Sequence, residues 1–364
     1  MHAPQSPPPV MAPLSPPARP HPLQILRQHQ EQRPHRRTNR DRRRDGLPTL
    51  QLTADQVVQL RTIEKRLLEQ YLERYEQYAD QDNRSVDTLE WKLSRQSNGV
   101  KVYKRRSVSR RHPHRHLYWE YGDDATERAE PMLLVVGSID GTLEDVLYGA
   151  VWSSRDERAT RSYFTRDGIV DAAVLCSLEK ANAMNPFRSL AVKWSLKRST
   201  TSATFIKDRD FVYLGATGTL RTSHDERLGF ELRHSLKIPA FPPMPGSSIV
   251  RAEIMSCSFF RQMRGGRVEV FHQASFDAGG DLLSILAWNH AVDHYVGFAA
   301  IVDCSFTKKL VRAVQWSSDN PPPKQDDTDP ERPWEADAER RCGTCGQPSG
   351  AAERKCALCY QNGM

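Results

Sequence analysis

The chain has 364 residues, of which 38% are hydrophobic, and it carries a formal net charge of +7 at pH 7. This length suits one large domain with extensions, or two modest domains. The sequence has no charge-free apolar run of roughly 18 residues that would span a membrane, and no apolar secretory signal. Its seven cysteines, an odd number, disfavour a secreted disulfide framework. We therefore expect an intracellular, cytoplasmic protein.

Residues 1–48 carry most of the net charge. They hold nine arginines and no lysine against Glu31, Asp41 and Asp45, so the rest of the chain is nearly neutral. A folded nucleic-acid-binding face would carry the excess itself, so we expect no specific nucleic-acid partner. This Pro- and Arg-rich arm is predicted to be disordered. Either a solvated tail or an address or anion-binding arm fits its composition.

Residues 49–83 are predicted to form an amphipathic helix. Thr53 and Gln56 have the spacing of a capping box, which marks the first turn. Apolar residues then recur at helical spacing: Val57, Leu60, Ile63, Leu67, Tyr71 and Tyr78. The stripe is short, which favours a helix docked on the next domain over a coiled coil.

Residues 84–316 read as a strand-rich domain closed by one long helix. A helix is predicted after Thr142, a plausible N-cap, and a second helix over 281–316. The predicted strands are 99–107, 116–122, 131–139, 172–180, 188–198, 209–220, 227–236, 248–262 and 267–277. This order predicts the α+β class, with an antiparallel sheet and helices segregated to one side.

The strands alternate between apolar and polar residues. Two apolar faces carry a histidine each, His234 beside Phe230 and Leu232, and His272 beside Val270. A matching stripe on the long helix includes Trp288, Val292, Tyr295, Val296 and Ala299. Sheet and helix would form either a solid core or a ligand chamber lined mainly by apolar groups. Spacing alone does not separate the two, and a solid core is the favoured interpretation.

The segment 206–215, IKDRDFVYLG, resembles the Arg-Asp-Phe-Val strand of START (steroidogenic-acute-regulatory-related lipid transfer) domains. The order of elements matches that family over roughly residues 50–316. The resemblance implies a helix-grip fold, in which a curved antiparallel sheet grips the C-terminal helix. It also implies that one lipid is held in a tunnel without chemistry, with Arg209, Phe211 and Tyr213 pointing toward it.

The chain also departs from that family. Sterol-binding members carry an arginine two residues beyond the position of Tyr213, and here that position is Gly215. The resemblance therefore does not imply a sterol ligand. Together, alternation and resemblance predict these ligand-binding residues: Val192, Trp194, Leu196, Arg209, Phe211, Tyr213, Phe230, Leu232, His234, Val270, His272, Val292, Tyr295, Val296 and Ala299.

Motifs for catalysis are absent from the sequence, which has no G-x-S-x-G, H-E-x-x-H, P-loop or dinucleotide fingerprint. His290 and His294 lie four residues apart on the predicted helix, where solvated surface histidines are favoured over a metal pair. We therefore expect no enzyme. A weaker alternative uses His234 or His272 as acid or base in the same cavity.

Residues 341–364 contain two Cys-x-x-Cys pairs, Cys342 with Cys345 and Cys356 with Cys359. Four thiolates at this spacing predict a closed tetrahedral zinc site with a structural role, against four free thiols as the alternative. The segment resembles a truncated FYVE-type finger but lacks the eight ligands of that module. Residues 317–340, polar and Pro-rich, are predicted to be a linker.

The leading hypothesis is a non-catalytic lipid-binding protein with an accessory zinc site and possible peripheral contact with membranes. The alternative is an adaptor, in which the START-like body is a filled scaffold. The zinc tail and the Arg-rich arm would then recruit partners or membranes.

Overall fold

The computed structural model describes residues 50–106, 132–198, 207–243, 249–279 and 297–319. Several predictions lie outside these ranges: the arm 1–48, the strand 116–122, residues 281–296 of the long helix, most of the linker and the zinc segment. The following paragraphs concern the described ranges.

Helix α1 spans Ala54–Glu76 and continues as a π-helical turn, Gln77–Gln81. The predicted capping box is confirmed, because Thr53 accepts from the backbone of Gln56 while the Gln56 side chain accepts from the backbone of Thr53. Leu60, Leu67, Tyr71 and Tyr75 form its buried face together with Glu64. The helix is therefore docked, as its short stripe predicts.

The strands form a ten-stranded sheet. They are β1 Trp91–Ser97, β2 Val100–Arg105, β3 Leu133–Asp140, β4 Ile169–Glu179, β5 Ser189–Lys197, β6 Asp208–Arg221, β7 Arg227–Ser235, β8 Ile249–Arg251, β9 Glu253–Met263 and β10 Arg267–Asp277. The order across the sheet is β1-β2-β3-β10-β9-β7-β6-β5-β4, with antiparallel neighbours throughout this path. The predicted strand 248–262 is divided, because β8 pairs parallel with β6 before β9 begins.

The described ranges contain three further α-helices, two between β3 and β4 and one after β10. They are α2 Leu143–Ala150, α3 Arg155–Thr165 and α4 Ile301–Asp319, the last preceded by a 3-10 turn, Gly297–Ala300. Thr142 caps α2 as predicted, accepting from the backbone N–H of Asp145. Helix α4 ends at Asp319 rather than at the predicted Trp316.

The two faces of the sheet are covered by different helices. On one face, Tyr75 of α1 lies against Phe259 and Phe271, with ring centroids 5.5 and 5.4 Å apart. The other face shares one core with α2 and α4: Val100, Val102, Leu133, Val135, Ile139, Leu143, Val146, Leu147, Ala150, Phe260, Val268, Val270, Ala274, Ile301 and Val302. We call the first the α1 face, and the second, which packs against α2 and α4, the helix-facing face. The predicted α+β class, a large curved antiparallel sheet holding the C-terminal helix, is confirmed.

Candidate functional site

The register of the sheet assigns each side chain to a face. Directly opposite residues of antiparallel strands point to the same side. Arg233 lies opposite Gly215 on one neighbouring strand and opposite Ser256 on the other. Ser256 in turn pairs with Ala274, which belongs to the core shared with α2 and α4. This row of residues therefore lies on the helix-facing face.

The predicted ligand-binding residues fall on both faces. The helix-facing face carries Arg209, Phe211, Tyr213, Val270 and His272, and Ala299 packs against its core. The α1 face carries Val192, Trp194, Leu196, Phe230, Leu232 and His234. Val292, Tyr295 and Val296 lie outside the described residues. The sheet separates the two groups, so they cannot line one cavity together.

The prediction that the apolar residues of β5 and β7 face the C-terminal helix is wrong, because these residues lie on the α1 face. Both faces of the sheet are covered, and in β5 the residues from Leu190 to Leu196 are all buried. Alternation identifies a buried apolar face but not the helix that covers it. Phe211 and Tyr213, placed by the resemblance, do lie on the helix-facing side.

A buried ion pair crosses the helix-facing face. Arg161 of α3 donates through Nη1 and Nη2 to the two carboxylate oxygens of Glu231, at 2.6 and 2.8 Å. Its Nη1 also donates to the carbonyl of Ala150 at 2.7 Å. Burial alone would raise the pKa of Glu231, but the guanidiniums of Arg161 and Arg233 outweigh it and hold that pKa well below its usual range. Glu231 is therefore a buried anion whose two oxygens Arg161 already occupies.

A second arginine, Arg233, interacts much more weakly with the carboxylate of Glu231. Nε of Arg233 lies 3.7 Å from Oε1 of Glu231, which is beyond hydrogen-bonding distance. Its Nε and Nη2 atoms are buried, and the described residues provide no hydrogen-bond acceptor for either. The same holds, within the described ranges, for the hydroxyl of Ser256, directly opposite on β9. Buried donors without an acceptor are costly, about 1–3 kcal/mol each and more for a charged group.

Lys193 adds another cation to this face. Its ammonium donates to the carbonyl of Trp152 at 3.0 Å and lies 4.2 Å from the centroid of the indole. Burial lowers its pKa to about 7, with Arg161 and Arg158 acting in the same direction and Glu231 opposing them. A Cβ at Gly215 would lie 3.1 Å from Cδ of Lys193, so the lysine stem passes over this glycine.

The histidines of the sheet are neutral at physiological pH. His272 and Ser258 form a buried hydrogen bond of 2.8 Å through Nδ1 and the hydroxyl. Burial, with Arg233 nearby, lowers the pKa of His272 to about 3, and burial lowers that of His234 to about 4. A base this weak removes protons poorly at neutral pH. The Ser258–His272 pair is therefore a poor nucleophile and base.

A separate pocket of about 190 Å³ lies beside the start of α1. Its walls are residues 50–52, Gln56 and Leu60 on one side and residues 236–240, which follow β7, on the other. Leu60 belongs to the buried stripe of α1, so this pocket is distinct from the Arg233 region.

Two further observations concern the part of the chain that the structure describes. No cluster of three or more His, Cys, Asp or Glu residues there has the geometry to hold a metal ion. The predicted zinc ligands Cys342, Cys345, Cys356 and Cys359 lie outside it. None of the described helices is both long and apolar enough to cross a membrane.

No family model and no curated protein sequence matches the chain. Among solved structures, the chain is similar to human StAR-related lipid transfer protein 5, with 19% identity and a TM-score of 0.47, over 69% of this chain and 99% of that one. It is also similar to human STARD10, with 15% identity and a TM-score of 0.39, over 67% and 82% of the two chains. A STAR-related lipid transfer protein fragment from Xanthomonas axonopodis gives 15% identity and a TM-score of 0.37, over 60% and 99%.

The residues that distinguish this site were not singled out by the sequence. Arg161 lies on α3, a helix that was not predicted, and Glu231, Arg233 and Ser256 occupy the positions between apolar residues that usually face solvent. One signal was available. Glu231 and Arg233 flank Leu232 in a strand that neighbours other strands on both sides, where alternate charged residues must be buried or paired.

Proposed function

We propose that the protein binds a lipid or another hydrophobic ligand, without chemistry, between the helix-facing face of the sheet and the C-terminal helix. The proposal is carried by one observation. Arg233 and Ser256 present buried polar atoms with no hydrogen-bond partner among the described residues, and their row of the sheet continues at Ala274 into the apolar core shared with α2 and α4. A mainly apolar wall with a few buried polar groups is the usual composition of a small-molecule site.

Two further features support a binding role. The segment 206–215 resembles the Arg-Asp-Phe-Val strand of START domains, and its Phe211 and Tyr213 lie on the helix-facing face. The buried imidazole of His272, with its pKa near 3, is unsuited to acid–base work at neutral pH. Both favour holding a ligand over transforming it.

The experiment compares lipid content and uptake. We expect native mass spectrometry of the purified full chain to show a co-purifying lipid, and fluorescent lipids to be taken up by the wild type. Ala299→Trp should reduce uptake, because Ala299 packs against the core of the helix-facing face. Ala313→Trp, at an exposed position of α4, is the matched control and should leave uptake unchanged.

The outcomes separate the two hypotheses for this protein. A folded wild-type protein that carries no lipid and takes none up would contradict the proposal and favour an adaptor role. Equal uptake by the wild type and Ala299→Trp would place any ligand elsewhere.

We further propose that Cys342, Cys345, Cys356 and Cys359 bind one structural zinc ion, on the spacing of their two Cys-x-x-Cys pairs. Metal analysis should give about one equivalent of zinc for the full chain. The double variant Cys356→Ser, Cys359→Ser should lose it. Equal zinc content in the two proteins would refute the assignment.

A further inference from the structure

Arg233 and Ser256 form a small polar patch on the helix-facing face of the sheet. We propose that this patch binds the oxyanion head group, a carboxylate or a phosphate, of an amphiphilic ligand whose chain lies against the apolar core shared with α2 and α4. The inference rests on the proposed function and names the chemical class of the ligand.

The position of Arg233 fixes where such a head group would lie. Arg233 and Ser256 are directly opposite on neighbouring strands, so their side chains leave the same face side by side. On the other flank Arg233 faces Gly215, where the stem of Lys193 and the ring of Tyr213 pass within 3.1 and 3.3 Å of a Cβ position. The next pair in the row, Ser256 with Ala274, leads into the apolar core.

The charges around Arg233 favour an anion. Arg161 binds both oxygens of Glu231, and Nε of Arg233 stays 3.7 Å from the nearer oxygen. Arg158 and Arg161 have hydrogen-bonded carboxylates, Asp167 and Glu231, whereas Arg233 has none among the described residues. A neutral acceptor would satisfy the N–H groups of Arg233 but not its positive charge, whereas an oxyanion satisfies both.

The chemistry of the two side chains fits an oxyanion as well. A guanidinium presents planar, forked donors that match carboxylate and phosphate oxygens, and its charge persists at all physiological pH values. Nε and Nη2, the two buried nitrogens of Arg233, are the kind of adjacent pair that binds two oxygens at once. The Ser256 hydroxyl supplies a third donor beside them.

The test measures binding of four probes to the full chain: oleate, oleyl phosphate, oleyl alcohol and acetate. In the wild type we expect oleate or oleyl phosphate to bind about 10- to 100-fold more tightly than oleyl alcohol, as hydrogen bonds to a charged group imply. Arg233→Met should remove this preference while keeping uptake of the alcohol, and Ser256→Ala should reduce it. Acetate, which has no chain, should bind more weakly than oleate.

Arg261→Met is the matched control. The Arg261 side chain is 19% exposed and that of Arg233 is 14% exposed, but Arg261 lies on the α1 face and pairs with Glu269 at 2.6 Å. This variant should keep the preference for the oxyanion. It should also melt at a lower temperature than the wild type, whereas Arg233→Met should not, when co-purified lipid has been removed from all three proteins before the measurement.

Each outcome bears on a distinct claim. If no probe binds to the wild type, the proposed function fails and this inference fails with it. If oleyl alcohol binds as tightly as the oxyanions, or Arg233→Met keeps the preference, lipid binding stands and the inference is wrong. Acetate binding as tightly as oleate would show a free-anion site and would also overturn it. A melting temperature for Arg233→Met as low as that of Arg261→Met would show a structural ion pair instead.

Discussion

Replacing Glu231 with glutamine would remove the carboxylate that offsets the cations of the helix-facing face. Arg161 donates to both oxygens of Glu231 and Arg233 lies just beyond hydrogen-bonding distance. Arg161 and Glu231 are 3% and 5% exposed, so water cannot take the place of the lost charge. Glutamine keeps the shape and one acceptor oxygen but removes the negative charge that the guanidiniums of Arg161 and Arg233 face.

The size of the effect follows from this burial. Removing one partner of a buried ion pair costs about 3–5 kcal/mol. For a domain of this size each kcal/mol lowers the melting temperature by about 2–4 °C, so we expect a fall of roughly 6–20 °C. The measurement is thermal and urea denaturation at pH 7, followed by circular dichroism on the full chain.

A companion variant tests whether Arg161 and Arg233 share the Glu231 carboxylate, as distinct from the general cost of altering a buried residue. Arg161→Met removes the other member of the pair, but Arg233 is already near Glu231 and needs a small movement to donate to it. We therefore expect a smaller loss, about 1–3 kcal/mol. The double variant should be less destabilised than the sum of the two single variants, because they share one interaction.

The effect of pH gives a second check on Glu231. The pKa of Glu231 is lowered in the folded protein, so its contribution to stability is present above the ordinary carboxyl pKa of 4.5 and is lost as the pH falls further. The difference between the wild type and Glu231→Gln should therefore shrink in acid. An Arg161→Met variant that loses as much stability as Glu231→Gln would refute the sharing of this carboxylate.

Two further predictions concern other contacts of the same side of the sheet. Lys193→Met should stabilise the protein most below pH 7, by on the order of a few kcal/mol. Burial lowers the pKa of Lys193 from 10.5 to about 7, so between these pH values the unfolded chain binds the proton more strongly than the folded protein does. The gain should decline as the pH rises from 7 toward 10.5, and a gain independent of pH in urea denaturation would contradict this cause. Gly149→Ala should destabilise the contact between α2 and α4 by about 1–3 kcal/mol, because its Cβ would lie 2.2 Å from the backbone oxygen of Ile301. An unchanged melting temperature would show that α4 moves aside without cost.

Elements with a local signal were predictable from the sequence. The capping box at Thr53 and the cap at Thr142 depend on residues within one turn of the helix, and both helices begin where these residues indicate. Most strands were identified for the same reason, since side chains that alternate along a strand are visible without tertiary information. The α+β class follows from their order.

Helix α3 was missed because its buried residues are not apolar. Arg158, Arg161 and Thr165 are its buried positions, so no hydrophobic stripe marks the 3.6-residue period. The partner of Arg158, Asp167, lies just after the helix, and the partner of Arg161, Glu231, lies on β7. A local pattern cannot reveal that an arginine is paired across the fold.

The location of the site depends on which face of the sheet lies against the C-terminal helix, and the sequence does not indicate this. Val192, Trp194 and Leu196 carry the stronger apolar alternation, yet they lie on the α1 face. The helix-facing residues of the same strand, Lys193 and Ser195, read as solvent-facing. Which face meets which helix is set by the crossover of the chain and not by the composition of a single strand.

Arg233 differs from the paired arginines on both sides of the sheet, and this difference argues for a ligand. On the α1 face, Arg188 pairs with Glu64 and Arg251 donates to both oxygens of Asp210 at 3.0 Å. A face that only has to pack gains little from a buried guanidinium, because well-packed apolar residues of similar size are often as stable or more stable. The buried N–H groups of Arg233 have no acceptor among the described residues, and buried donors left in this state reduce stability. A partner that binds the folded protein and accepts those hydrogen bonds would return that stability in proportion to its affinity.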